Sequence, residues 1–149
     1  MNSRFDFTGI DENGKTFILE VKSVPCADYE DIPSKEREKR DYTSWKYDSK
    51  VAYFPDGYRK NVKDTVSPRA LKHIQELENL KQENPELRTI LVFVIQRTDC
   101  IHFQPSNIDM IYKNAVISGY KSGVEIIPLC VLWNEEGECV FSRVLPLKF

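Results

Sequence analysis

The sequence predicts an α/β protein in which a mixed β-sheet is flanked by helices. A candidate helix begins at Ser67-Pro68, carries apolar residues at three-residue steps, and ends at Asn84-Pro85. Residues 89–95 then form an unbroken apolar run, which is typical of a central strand covered on both faces. A second candidate helix at 108–121 precedes two further strands. With two strands at the start of the chain, the order is β-β-α-β-α-β-β, which implies a mixed sheet.

The chain opens with two candidate strands, at about 3–10 and 16–24, joined by the turn Asp11-Glu12-Asn13-Gly14. The turn decides which residues face each other. A three-residue loop at 12–14 pairs Asp6 with Glu20, whereas a loop at 13–15 pairs Asp6 with Lys22. A two-residue turn places Asp6 opposite Val21 on the other face, because a one-residue slip inverts every side chain. We favour the first register.

Glu20 and Lys22 lie on one face of the second strand, within a segment that is otherwise apolar. Charged side chains are rarely buried without a partner or a function. In the favoured register the Asp6 and Glu20 carboxylates are roughly 5 Å apart and repel each other. A bound Mg²⁺ or Mn²⁺ would remove that repulsion, and Lys22 would orient a water or neutralise a phosphate. The alternative is a charge ladder in which Arg4 and Lys22 pair with the two acids.

Composition limits the classes of function. The net charge of −2 argues against a strongly basic nucleic-acid binder, so any contact with nucleic acid must depend on a local patch. No apolar run reaches the roughly 18 residues that a membrane span requires. The four cysteines show no metal-ligand spacing. We expect a single domain over residues 1–149 in a reducing, cytoplasmic setting, or a nuclear one in a eukaryote, without a membrane partner.

Residues 25–65 form the least regular stretch and combine basic with aromatic side chains, an arrangement that suits a nucleic-acid strand. The alternative is a solvated insertion whose acidic residues cancel much of the charge. The members of the basic and aromatic set are Lys35, Arg37, Lys39, Arg40, Lys46, Lys50, Arg59, Lys60 and Lys63 with Tyr42, Trp45, Tyr47, Tyr53 and Tyr58.

Five motifs occur in a fixed order: S-R-F-D-F, E-V-K-S-V, F-P-D, S-P-R-A-L-K-H-I-x-E-L and L-V-F-V-I-Q-R. Together they resemble the sugar fermentation stimulation protein A (SfsA) family, whose catalytic-type domain is restriction-endonuclease-like and belongs to the PD-(D/E)xK superfamily. The resemblance implies a nuclease-like domain over 1–149 with a basic and aromatic insertion at about 25–65. It also implies a Mg²⁺- or Mn²⁺-dependent nuclease that hydrolyses phosphodiesters, with DNA favoured over RNA as the substrate.

The resemblance assigns roles to individual residues. Asp6, Glu20 and Lys22 correspond to the catalytic set, and Asp56 of F-P-D joins Asp6 and Glu20 as a metal ligand. Each assignment has an alternative: Asp56 as a turn residue, His73 as a solvent-facing residue, Gln96 as a partner of the backbone at a strand end. The expected contacts to nucleic acid are Arg4, Arg69, His73, Gln96 and Arg97.

Family members usually carry an amino-terminal OB-like domain, and this sequence shows none. A second copy, a partner chain or the basic segment at 35–63 would therefore have to hold the substrate. Because one scaffold serves many functions, a non-catalytic nucleic-acid-binding or regulatory protein is the second hypothesis.

Overall fold

The computed structural model of the chain describes residues 4–56 and 63–149. Tyr58, Arg59 and Lys60 of the predicted basic and aromatic stretch lie outside these ranges. In chain order the elements are β1 (Phe7–Ile10), β2 (Thr16–Val24), β3 (Ala27–Asp28), α1 (Ser34–Arg37), β4 (Lys50–Phe54), α2 (Pro68–Glu83), β5 (Arg88–Ile95), β6 (Cys100–Pro105), α3 (Met110–Lys121), β7 (Glu125–Trp133) and β8 (Cys139–Val144).

The larger sheet has five strands in the order β1-β2-β5-β7-β8. The outer pairs, β1 with β2 and β7 with β8, are antiparallel hairpins, and β2, β5 and β7 are parallel. Each parallel connection passes through a long helix, α2 or α3, as parallel strands require. The predicted mixed sheet is confirmed, and the apolar run at 89–95 is its central strand.

A smaller sheet of three strands, β3-β4-β6, was not predicted. Strand β4 lies inside the stretch that the sequence indicated as irregular, and it pairs in parallel with β6. The rings of Phe54 on β4 and Phe103 on β6 pack on Phe93 of β5, with centroids 5.6 and 4.3 Å from it. These aromatic contacts join the two sheets in one core.

Helix α2 begins and ends where the sequence predicts. The Ser67 side chain accepts a hydrogen bond from the Ala70 N–H, Pro68 is the first helical residue, and Asn84 caps the carboxyl end. Helix α3 begins two residues later than predicted, after the Asp109 N-cap, and Gly123 follows it with a φ of 97°. No helix in the described part of the chain is long and apolar enough to cross a membrane.

Candidate functional site

The first hairpin has the favoured register. Phe7 pairs with Leu19 and Ile10 with Thr16, and the Asp11 N–H bonds to the Lys15 carbonyl at 2.9 Å. Residues 12–14 are therefore the loop, with Gly14 at a φ of 77°. Asp6 precedes the first paired residue, and extending this register by one position aligns it with Glu20 rather than with Lys22 or Val21.

Asp6 lies just before β1, so the first strand starts later than the predicted 3–10. Its side chain is exposed, and Oδ2 accepts a hydrogen bond of 2.8 Å from the backbone N–H of Val21 on β2. This bond fixes one carboxylate oxygen beside the strand that carries Glu20. The chain thus brings the two acids to neighbouring positions from adjacent segments.

Glu20 is almost completely buried, with 2% of its surface exposed. Lys22 Nζ lies 2.5 Å from Glu20 Oε1, and His73 Nδ1 contacts the same oxygen. Lys22 Nζ and His73 Nδ1 are 3.2 Å apart. Glu20 Oε2 is buried and has no hydrogen-bond partner within the described residues. One oxygen of this carboxylate is therefore doubly held, while the other is left without a partner.

His73 reaches this cluster from the inner face of α2, where it lies among the buried residues of that helix. Only 4% of its surface is exposed, and the Phe5 ring lies 6.2 Å from it. The alternative of a solvent-facing side chain is wrong, because α2 packs this face onto the sheet. His73 thus forms one cluster with Glu20 and Lys22, and its predicted contact with nucleic acid stays a prediction.

The structure gives Asp56 a partner other than the two acids. Its Oδ2 accepts a hydrogen bond from the Cys26 thiol at 3.1 Å. Burial raises the pKa of Cys26, and the neighbouring Asp56 carboxylate raises it further. Across residues 4–56 and 63–149, no group of three or more His, Cys, Asp or Glu side chains is arranged to hold a metal ion. Asp56 as a third metal ligand stays a prediction.

Gln96 and Arg97 follow β5 directly, as expected. The Gln96 side chain donates to Ser23 Oγ, and its backbone N–H donates to the Val24 carbonyl, so it also ties β5 to the end of β2. Arg97 binds Asp99 with two nitrogens, Nε at 2.9 Å and Nη2 at 2.6 Å. Its guanidinium is therefore largely committed to an ion pair within the protein.

Asp99 and Lys50 are a buried pair that the sequence analysis missed. Lys50 Nζ lies 2.9 Å from Asp99 Oδ2, and both residues are buried. The Arg97 hydrogen bonds, with help from Lys50, lower the pKa of Asp99 to about 2. The sequence contains one signal for this pair: Lys50 and Asp99 are both charged residues at or just before the start of a short apolar run.

Arg4 and Arg69 are both exposed, and neither forms an ion pair with another residue in the part of the chain that the structure describes. They are thus accessible to solvent, as a contact with a phosphate requires. Their predicted roles stay predictions, because burial and ion pairing alone assign no ligand.

The donor set at the cluster is compatible with a hard divalent cation. Mg²⁺ takes oxygen ligands and is commonly held by one or two carboxylates, with water and substrate phosphates completing its shell. Asp6 supplies one carboxylate, and the unpartnered Oε2 of Glu20 supplies a buried acceptor.

Fold and site together define the class of protein: an α/β protein with a restriction-endonuclease-like fold and an E-x-K cluster on its second strand. The family described as "Sugar fermentation stimulation protein RE domain" matches residues 42–137. The chain belongs to this family.

Individual relatives agree with this assignment. A sugar fermentation stimulation protein homolog of Synechocystis is 32% identical over 136 residues, which cover 91% of this chain and 44% of the relative. The homolog of Crocosphaera subtropica is 38% identical over 128 residues, covering 85% and 40%. The chain spans less than half the length of these two curated relatives. The structure of Pyrococcus furiosus SfsA in complex with Ca²⁺ superposes with a TM-score of 0.71 at 21% identity, covering 100% of this chain and 52% of that one.

Proposed function

We propose that this chain is a metal-dependent nuclease that hydrolyses phosphodiester bonds in DNA. One observation carries the proposal: the Asp6 carboxylate accepts a hydrogen bond from the backbone N–H of Val21, next to Glu20, and Lys22 Nζ is 2.5 Å from Glu20 Oε1. Two carboxylates beside one ammonium group are a combination suited to a divalent cation, an attacking water and an anionic substrate.

Asp6 and Glu20 would hold Mg²⁺ or Mn²⁺, with Asp56 as a further candidate ligand. When bound, the ion lowers the pKa of a water and neutralises charge on the phosphodiester. His73 and Lys22 hold Glu20 through Oε1, which leaves Oε2 available as an acceptor. Lys22 adds a positive charge that attracts the phosphate and orients the water.

A divalent cation is also supported by a relative. The Pyrococcus furiosus SfsA structure, which shares the fold of this chain, is described as a complex with Ca²⁺. Ca²⁺ and Mg²⁺ both take oxygen ligands, so carboxylates of the same fold are reasonable ligands here.

The test is cleavage of single- and double-stranded DNA with Mg²⁺ or Mn²⁺ by the wild type and by Asp6→Asn, Glu20→Gln and Lys22→Met. Each variant should lose about a hundredfold or more of the rate. Glu86→Gln is the matched control, because its side chain is 94% exposed and its ion pair with Lys15 is long, at 3.8 Å. Equal cleavage by wild type and all three variants would show that the activity comes from a contaminant.

A non-catalytic nucleic-acid-binding protein is the second candidate, and a specific observation favours it. Lys22 and His73 both contact Glu20 Oε1, so the carboxylate is already compensated by groups of the protein. Binding that is salt-dependent, needs no metal and is unchanged in Glu20→Gln would support this candidate, since phosphate contacts weaken steeply with salt.

Binding of a long nucleic acid requires protein surface beyond the Asp6, Glu20 and Lys22 cluster. We therefore propose that a second copy, a partner chain or the basic segment at 35–63 supplies it. Light scattering of the chain alone and with duplex DNA separates these sources. A complex whose mass corresponds to one chain per duplex would indicate that the basic segment of the same chain binds the substrate.

A further inference from the structure

A cavity of about 260 Å³ lies at the carboxyl ends of β5 and β7, and neither Asp6 nor Glu20 belongs to its lining. Its walls include two aromatic side chains, Tyr47 and Trp133, and its lining includes Gln96, Arg97 and Asp99. The carboxyl ends of parallel strands are where open α/β sheets usually bind ligands. The Asp6–Glu20 site makes no use of this cavity.

The two aromatic walls are unusually exposed for their size. Tyr47 is 73% exposed and Trp133 is 47% exposed. Large aromatic rings left in water at the rim of a cavity indicate a binding surface rather than a packing element. Both rings are thus available to stack against a planar ligand.

The Tyr47 ring is held in place by the buried ion pair beneath it. Lys50 Nζ lies 3.7 Å from the ring centroid, donates to the Tyr47 carbonyl at 2.6 Å and binds Asp99 at 2.9 Å. A cation beneath one face of an aromatic ring holds the ring in place, while the other face stays exposed to solvent. The ring is therefore preorganised, which lowers the entropy lost when a ligand binds.

One cation beside the cavity is available to an anionic ligand. Arg97 and Asp99 line the cavity as an ion pair, and Lys50 binds the same carboxylate. Arg143 on β8 is exposed next to the cavity, where its Nη2 donates to the Thr98 carbonyl at 2.9 Å, and it forms no ion pair among the described residues. The acidic residues Glu135, Glu136 and Glu138 follow Trp133 at the tip of the β7–β8 hairpin. A negatively charged backbone would therefore pass on the Arg143 side of the cavity, away from these acids.

The aromatic surface continues beyond the cavity along the same loop. Trp45 is 44% exposed and packs edge-on against Tyr42 and Tyr29, with centroids 5.3 and 5.6 Å apart. Lys46 is exposed between Trp45 and Tyr47. Rings at successive positions with a cation between them suit a chain of bases joined by phosphates.

We propose that the cavity between Tyr47 and Trp133 receives an unstacked base of single-stranded nucleic acid, with Trp45 and Lys46 contacting the adjoining nucleotides. Gln96 links the cavity to the strand of the Glu20 cluster, because it bonds to Ser23 and Val24 of β2. The inference deepens the proposed nuclease function and rests on its choice of nucleic acid as ligand, although the binding step needs no metal.

The chain contains two tryptophans, so Trp45→Phe leaves Trp133 as the sole tryptophan reporter. In this background, without metal, we titrate a single-stranded oligonucleotide of about ten nucleotides, the matching duplex and a mononucleotide. We expect the single strand to quench Trp133 emission, the duplex to give no quenching, and the mononucleotide to quench with weaker affinity. A mononucleotide that binds as tightly as the strand would overturn the assignment to nucleic acid.

Tyr47→Ala should weaken single-strand binding about tenfold, because the base loses one of the two rings on which it stacks. Tyr47→Phe should retain the affinity. Tyr120→Ala is the control, because Tyr120 is 51% exposed on α3 and packs on Phe149. Equal affinity for Tyr47→Ala and Tyr120→Ala, with no change in Trp133 emission, would overturn the proposal.

The two proposals fail in different ways. Metal-dependent cleavage that is lost in Glu20→Gln but unaffected by Tyr47→Ala would support the nuclease and overturn the base-binding cavity. Quenching of Trp133 that depends on Tyr47, in a protein without cleavage, would support the cavity and overturn the nuclease.

Discussion

His73 on α2 and Glu20 on β2 are in direct contact through Nδ1 and Oε1, although 53 residues separate them in sequence. Both side chains are almost completely buried, with 5% and 3% of their surfaces exposed. A buried carboxylate is costly unless it is hydrogen-bonded, and His73 on α2 adds a second contact to the one that Lys22 makes from β2. The contact couples the orientation of α2 to the geometry of the E-x-K cluster.

Removal of the His73 ring should destabilise the protein and disturb the cluster. His73→Ala leaves Glu20 with Lys22 as its remaining partner, and we expect a loss of about 1–3 kcal/mol in the free energy of unfolding. His73→Asn keeps a donor near the position of Nδ1 and should recover part of that loss. Urea unfolding measures both. Equal stability of wild type and His73→Ala would show that the contact contributes nothing to the fold.

Lys22→Met should change metal binding and catalysis in opposite directions. The methionine keeps most of the side-chain volume but removes a positive charge 2.5 Å from Glu20 Oε1. Without that charge the carboxylate should bind Mn²⁺ several-fold more tightly. Cleavage should fall about a hundredfold, because the group that orients the water and attracts the phosphate is lost.

Calorimetric titration with Mn²⁺ and single-turnover cleavage test this pair of effects on one preparation. Lys15→Met is the matched control, because Lys15 is exposed in the hairpin turn and pairs with Glu86. Weaker Mn²⁺ binding by Lys22→Met would contradict the idea that Lys22 and the ion share Glu20.

The sequence predicted the parts of this fold that depend on local chemistry. The first hairpin register follows from its turn: the Asp11 carboxylate accepts the N–H groups of Asn13 and Lys15, each at 2.9 Å, and Gly14 adopts the positive φ that a glycine permits. The bounds of α2 follow in the same way from Ser67 and Pro68. Such signals act within a few residues, so a single sequence contains them.

The small sheet could not be predicted in the same way. Strand β4 begins with Lys50, a residue that normally indicates an exposed position, and its burial depends on Asp99, 49 residues later. The burial of His73 likewise depends on Glu20 across the core. Pairings between distant charges leave no periodic pattern in the sequence, so these features required the structure.

The Asp99 ion pairs should make stability depend on pH in the acid range. Asp99 has a pKa of about 2 in the folded protein, against 3.8 as its usual value. A lowered folded-state pKa stabilises the protein above the unfolded value, and this contribution of about 2 kcal/mol is lost as the pH falls from about 4 to about 2. The Asp99→Asn variant lacks this contribution to the free energy of unfolding at every pH.

Urea unfolding of wild type and Asp99→Asn across the acid range checks this. The variant should be less stable near neutral pH, also because Lys50 loses its charged partner, and the difference should shrink toward about pH 2. Asp48→Asn, at an exposed loop position, serves as the comparison. A difference that stays constant with pH would refute the assignment of the acid transition to Asp99.

Asp56 should control the reactivity of Cys26. The thiol is half-buried and donates to Asp56 Oδ2, and both burial and the carboxylate raise its pKa. Because the thiolate is the reactive form, Cys26 should react with iodoacetamide more slowly than the exposed Cys139 at about pH 8. Asp56→Asn removes the negative charge and should accelerate labelling of Cys26 without affecting Cys139. Peptide mass spectrometry measures each site, and equal rates for Cys26 in both proteins would place Asp56 elsewhere.

Gly119 should be required for the close packing of α3 on α2. A Cβ at this position would lie 2.8 Å from Ile74 Cδ1, and both residues are buried. Alanine gains about 1 kcal/mol of helix propensity, but overpacking a core costs about 1–3 kcal/mol. We therefore expect Gly119→Ala to destabilise the protein by about 1 kcal/mol in thermal or urea unfolding.

Ile74→Val removes the clashing Cδ1, so the double variant should be more stable than the sum of the single effects predicts. Strict additivity of the two changes would show that the helices separate freely at this contact and that Gly119 has no packing role.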